Sequence, residues 1–262
     1  MGTVYRARDL ATGATVAVKI LTGREVREAQ RFDQEAAILA GLVHPAIVRY
    51  ITHGVAENGA RYIAMEWMDG EDLATRLERE HPTIAETVAL ARRTAEALAH
   101  AHKRGVVHRD IKPGNLFLPG GAIDRLKVLD FGIARLTSGA GRLTRTGKVI
   151  GTPGYMAPEL VRGARDITPR ADVFSLGCVM FQCLTGRAVF EAEAPTALLA
   201  KILLVEAPRV RDLAPHVPAS VDDCVARMLA KNPEDRVADA AAVLDLLGGL
   251  GSLGDEIGRA HV

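Results

Sequence analysis

Apolar positions in the first third of the chain fall in short runs of strand length. TVAVKIL (15–21) is rich in β-branched residues and follows the turn signal ATGA, so 4–8 and 15–21 are expected to pair as a hairpin. REVREAQRFDQEAAILAG has helical spacing, ends at Gly41 and is followed by Pro45. AIVRYITHGV and RYIAMEW return to strand character. After MDGED the period changes to that of helices. TIAETVALARRTAEALAHAHKRG opens on a capping box, Thr83 with Glu86, and stops at Gly105. In TPRADVFSLGCVMFQCLTG, Thr168 is the expected N-cap and Pro169 the first helical residue. The second half of that segment is apolar on nearly every face, which predicts a buried helix. Helical pattern continues to about Leu247. The chain therefore reads as α+β: a small β-rich lobe, a hinge near 66–72 and a larger helical lobe, without internal repeats.

Composition adds little to this. The 262 residues are 48% hydrophobic and 25% charged, ordinary for a globular protein. A net charge of +1 gives no electrostatic case for nucleic acid. Cys178, Cys183 and Cys224 show no metal spacing and read as reduced thiols, so a cytoplasmic location is expected. The N-terminus has no apolar signal core, and no run approaches the ~20 apolar residues of a membrane span.

The chemistry is concentrated where the two lobes meet. VAVKI carries Lys19 in a strand, which alone would suit a solvated edge. HRDIKPGN (108–115) spaces Asp110, Lys112 and Asn115 in a way that is uncommon. DFG (130–132) follows the apolar stretch LKVL; by itself it would be an ordinary turn. GTPGYMAPE (151–159) is hard to obtain by chance.

In this order the motifs resemble the protein kinase family, and most of all the bacterial eukaryotic-like Ser/Thr kinases, over roughly residues 2–248. The resemblance implies a two-lobed fold, with 1–68 as an N-lobe lacking its first strand and 69–248 as the C-lobe. It implies ATP and Mg²⁺ as cofactors, with Mn²⁺ as a substitute. Lys19 would hold the α- and β-phosphates, steadied by Glu35. Asp130 and Asn115 would supply oxygen ligands to the metal. Asp110 would take or orient the proton of the incoming hydroxyl, and Lys112 would neutralise the γ-phosphate. Thr152, together with Lys112, matches the Ser/Thr-specific pattern. The adenine slot would be formed by Val4, Ala17 and Phe117, the gatekeeper Met65, the Glu66 carbonyl and the Met68 N–H. Asp72 has two readings, a contact to the ribose hydroxyls or a helix N-terminal acid. Thr144 and Thr146 resemble threonines autophosphorylated in bacterial relatives, with Arg109 placed to receive the phosphate. Glu159 would pair with Arg236, and Asp172 would bond the backbone around His108 and Arg109, leaving His108 as a core residue. Phe174 stands where the family usually has tryptophan.

Partners implied are protein substrates with Ser or Thr, and a second copy of the kinase for trans-autophosphorylation. Two other classes compete. A scaffold pseudokinase is disfavoured because Lys19, Glu35, Asp110, Asn115 and Asp130 are all present. A small-molecule phosphotransferase would usually lack the APE segment. Gly2 and Val4 match only the last glycine and the valine of the family's glycine-rich loop, so the chain reads as cut inside that loop. Such a chain is expected to cover the phosphates poorly and to turn over slowly. At the other end, 249–262 is expected to be a non-structural tail, and its IGRAHV resembles translated sequencing adapter.

Overall fold

The computed structural model describes residues 3–21, 36–131 and 153–250. The expected hairpin is present: β1 (Thr3–Arg8) pairs antiparallel with β2 (Thr15–Leu21). Gly13, at φ 73°, and the Asp9 carboxylate organise its turn. With β3 (Tyr50–Val55) and β4 (Arg61–Glu66) these form a four-stranded sheet in the order β1-β2-β4-β3. Helix α1 is described over 36–41, and the rest of that predicted helix lies outside the described residues. The core of this lobe is small. Ile63 and Met65 are buried, with Leu39, Val48 and Tyr50 packed against them.

A second sheet, β5 (Gly70–Asp72), β6 (Leu116–Pro119) and β7 (Lys127–Val128), lies where the predicted hinge gives way to the helical lobe. Gly70 is required there, because at φ 146° a Cβ would sit 2.2 Å from the Leu118 carbonyl oxygen. The loop after α1 is stitched to this sheet: Val48 N–H donates to Val128 O at 3.1 Å and Val128 N–H to Ala46 O at 2.8 Å.

The helical lobe contains α2 (Leu73–Leu77), α3 (Ile84–His102), α4 (Pro158–Val161), α5 (Arg170–Thr185), α6 (Pro195–Leu204), α7 (Val210–Leu213), α8 (Ala219–Met228) and α9 (Ala240–Gly249). The Thr83–Glu86 capping box starts α3 as expected. Helix α5 is the centre of the lobe, and every residue from Ala171 to Phe181 is buried. It ends at Gly186, whose φ of 72° is the left-handed C-cap that glycine favours.

Two boundaries differ from expectation. Thr168 does not cap α5 through its side chain. Pro169 is the capping residue, already in helical geometry, and Thr168 contributes its backbone carbonyl to the Ala171 N–H. At the C-terminus, α9 continues through Gly248 and Gly249. Leu247 and Leu250 are both buried in the core, and that packing offsets the low helix propensity of two glycines. The tail beyond 250 lies outside the described residues.

Candidate active site

Residues 108–115 form a loop that is fixed from below. The Asp172 carboxylate, fully buried on α5, accepts the His108 and Arg109 N–H groups, each at 2.7 Å, and His102 Nε2–H at 3.0 Å. These bonds hold Arg109 at φ 67°, a conformation that costs a non-glycine residue about 1–3 kcal/mol. His108 is a core histidine, as expected. Its Nδ1 accepts the Asp110 N–H at 3.2 Å, so its Nε2 carries the hydrogen donated to Leu129 O at 2.7 Å. Its ring packs edge-on against Phe131, with centroids 4.6 Å apart.

This frame presents three polar side chains together. Asp110 Oδ2 accepts from Lys112 Nζ at 2.7 Å and from Asn115 Nδ2 at 3.0 Å. Asn115 Nδ2 also donates to the Asp110 carbonyl at 2.7 Å, which fixes the orientation of the amide. Among the described residues nothing donates to Asp110 Oδ1 and nothing bonds Asn115 Oδ1. Leu129 N–H donates to Asn115 O at 2.9 Å, bringing Asp130 beside Asn115. Asp130 stands at φ 59° and meets Lys19 Nζ at 2.5 Å across the gap from the four-stranded sheet.

Sheet register places the remaining candidates. Val4 is opposite Lys19, Ala17 opposite Met65, and Lys19 opposite Ile63, so Val4, Ala17, Lys19 and Met65 share one face. Glu66 turns its carboxylate away to the Arg49 N–H at 2.7 Å and to Lys127 Nζ at 2.5 Å. No described residue accepts from the Met68 N–H. Phe117 lies on β6 between Asp72 and Lys127. Asp72 takes the second of its two roles: its Oδ1 caps α2 by accepting the Thr75 N–H at 2.8 Å. Gly2, Glu35, Thr144, Thr146 and Thr152 lie outside the described residues.

The profile of the protein kinase domain family matches residues 1–245. The chain belongs to the protein kinase family. It is 40% identical over 261 residues to the serine/threonine-protein kinase PknJ of Mycobacterium tuberculosis, covering 95% of this chain and 44% of that one. It is 37% identical over 253 residues to pkn3 of Myxococcus xanthus, covering 92% of this chain and 46% of that protein. The chain thus spans less than half the length of these curated relatives. A crystal structure of Rad53 in complex with AMP-PNP superposes with a TM-score of 0.76 at 26% identity, over 93% of this chain and 60% of the other.

Other parts of this kinase domain are scaffolding. Arg236 is buried and uses all five donors. It reaches Glu159 at 2.7 and 3.3 Å, and the carbonyls of Ala230, Arg170 and Lys231. Its guanidinium lies 5.0 Å from the centroid of Phe174, so the phenyl ring standing in the usual tryptophan position still packs against this cation. Burial pushes the Tyr155 hydroxyl up to about 12, and it donates to Gln182 Oε1 at 2.5 Å. Sequence reasoning missed the His102–Asp172 contact and the Tyr155–Gln182 pair. His102 ends an apolar-faced helix, a signal that could have marked it as inward-facing. Nothing local marked Gln182.

Proposed function

We propose that this domain transfers the γ-phosphoryl group of Mg·ATP to Ser or Thr hydroxyls of proteins. The observation that carries the reading is Asp110: its Oδ2 is held by Lys112 and Asn115, while Oδ1 faces no described donor. A carboxylate so held can accept a proton at one oxygen without rotating away. The acceptor hydroxyl would give its proton to Oδ1 as its oxygen bonds the γ-phosphorus. The bond from phosphorus to the β-phosphate oxygen then breaks, and ADP leaves.

The donor set fits a hard divalent cation. Asp130 offers carboxylate oxygen, and Asn115 has its amide nitrogen committed to Asp110 and its oxygen left over. When bound, the metal would neutralise charge on the phosphates. Lys19, now on Asp130, would hold the α- and β-phosphates with Glu35 as its proposed partner, and Lys112 would neutralise the γ-phosphate. Val4, Ala17, Met65 and Phe117 would enclose adenine, with the Glu66 carbonyl and the Met68 N–H as its hydrogen-bonding partners.

Further assignments rest on the family. Thr144 and Thr146 are proposed sites of trans-autophosphorylation between two copies of the domain, and Thr152 would sit near Asp110. The lobe boundary is placed at 68/69. The buried free thiols suit a reducing compartment, and we assign the reaction to the cytoplasm. Among the described residues no helix is long and apolar enough to cross a membrane. Radiolabelled ATP with a basic protein substrate tests the proposal. Label should move from the γ position to phosphoserine or phosphothreonine; ATP turnover without protein labelling would refute it.

A further inference from the structure

The chain has one tryptophan, Trp67, and it stands in the connector between the lobes. The connector is pinned at both ends. Glu66 is bonded to the Arg49 N–H and to Lys127, and the Asp69 carbonyl accepts the Gly120 N–H at 2.8 Å, just past β6. Between them Trp67 donates its indole N–H to Asp69 Oδ1 at 3.0 Å, which fixes the ring. Over that ring lies a cation from the other lobe: the guanidinium carbon of Arg6 is 5.1 Å from its centroid, within the range of cation–π attraction. Arg6 is on β1, opposite Ala17, and its spacing from Val4 puts both on one face of the strand. Among the described residues no carboxylate pairs with Arg6.

We propose that Arg6 is a positioning residue for the nucleotide: its contact with Trp67 clasps the strand carrying Val4 to the connector carrying the Glu66 carbonyl and the Met68 N–H, and holds the slot between them at binding width. The proposal rests on the kinase reading above. The four-stranded sheet has only a small core, Ile63 and Met65 with three partly buried neighbours, so burial alone fixes its tilt weakly. The clasp adds a link from β1 through the indole and Asp69 to the turn after β6. The Asp69 carboxylate, by accepting the indole N–H, makes the ring face more negative and strengthens its hold on the guanidinium. At an exposed site such a contact changes an equilibrium by a factor of about two to five. When it is lost, a smaller fraction of molecules holds the slot at the right width, and the apparent Kd rises in proportion. The catalytic loop is held separately by Asp172, so a complex once formed should react at the same rate.

The test uses the 262-residue chain with Mg·ADP and Mg·ATP as probes. Calorimetric Kd values for both should rise about two- to fivefold in Arg6→Met. Arg6→Lys keeps the cation and should return them to within about twofold of wild type. KM for ATP should rise by the same factor as Kd while kcat stays within about twofold, a split that a general loss of structure would not give. Trp67 supplies a spectroscopic readout: uncovering one face of its ring in Arg6→Met should increase quenching of its emission by acrylamide. In a Trp67→Leu background Arg6→Met should add nothing further, because the ring it acts through is gone. Unchanged Kd values in a folded Arg6→Met protein, or a fall in kcat with KM unchanged, overturn the clasp alone. Failure of the wild-type chain to bind either nucleotide overturns the kinase reading itself, and the clasp with it.

Discussion

Lys19 and Asp110 face the same gap but are held in different ways. Lys19 rides on β2 of a sheet whose buried core is Ile63 and Met65, and its bond to Asp130 is partly open to water on both sides. Asp110 stands on a loop whose backbone is bonded to the buried Asp172, beneath which lies a helix buried along most of its length. Chemistry that must be fixed in place is therefore built on the packed lobe. The group proposed to meet the nucleotide, Lys19, is built on the lightly packed one, where small movements cost little. Substitutions should separate along this line, with frame residues changing stability and Lys19 changing turnover.

The largest stability effect should come from Arg236→Ala. It strands the buried Glu159 carboxylate and three carbonyls, and breaking a buried pair costs about 3–5 kcal/mol. A thermal melt should fall by several degrees, whereas the exposed Arg79→Ala should barely move it. Asp172→Asn comes next. It keeps the shape but loses the charge that accepts three hydrogen bonds, at about 1–3 kcal/mol, and turnover should fall with it as the Arg109 backbone is released. Lys19→Met should cost about 1 kcal/mol or less in a melt yet reduce turnover by about 10²–10³-fold. If instead Lys19→Met unfolds the protein, or Arg236→Ala leaves the melt unchanged, the contrast between the lobes is lost.

The smallest effect is a pH slope. Burial lowers the Lys231 ammonium to about 8, where it donates to Ile202 O and lies over Phe190. The unfolded chain holds that proton up to about 10.5, so between these values it binds more protons than the folded state. The Lys231 contribution to stability should therefore rise as pH increases from 8 to 10.5. Denaturant midpoints across that window, compared with Lys231→Met, isolate it; parallel curves would contradict it.

Most of the frame was legible because it is written in local signals. The capping box at Thr83, the β-branched hairpin and the largely apolar second half of α5 each need few neighbours to be recognised. The grouping of Asp110, Lys112 and Asn115 is likewise local, within one turn of chain. Other features depend on tertiary packing. Pro169 displaces Thr168 as cap because the chain enters α5 already in helical geometry, and Gly248–Gly249 stay helical because Leu247 and Leu250 bury there. The pairing of Tyr155 with Gln182 joins residues 27 positions apart, and no periodicity announces it.

The most direct test is Asp110→Asn, assayed for γ-phosphoryl transfer and, in parallel, for nucleotide binding. The substituted amide fills the same space between Lys112 and Asn115 but cannot take the hydroxyl proton. Transfer should fall by about 10²–10⁴-fold, the usual worth of a positioned general base, while Mg·ATP affinity stays within a few fold. Near wild-type transfer by a folded Asp110→Asn protein would contradict the assignment of Asp110 and the mechanism built on it.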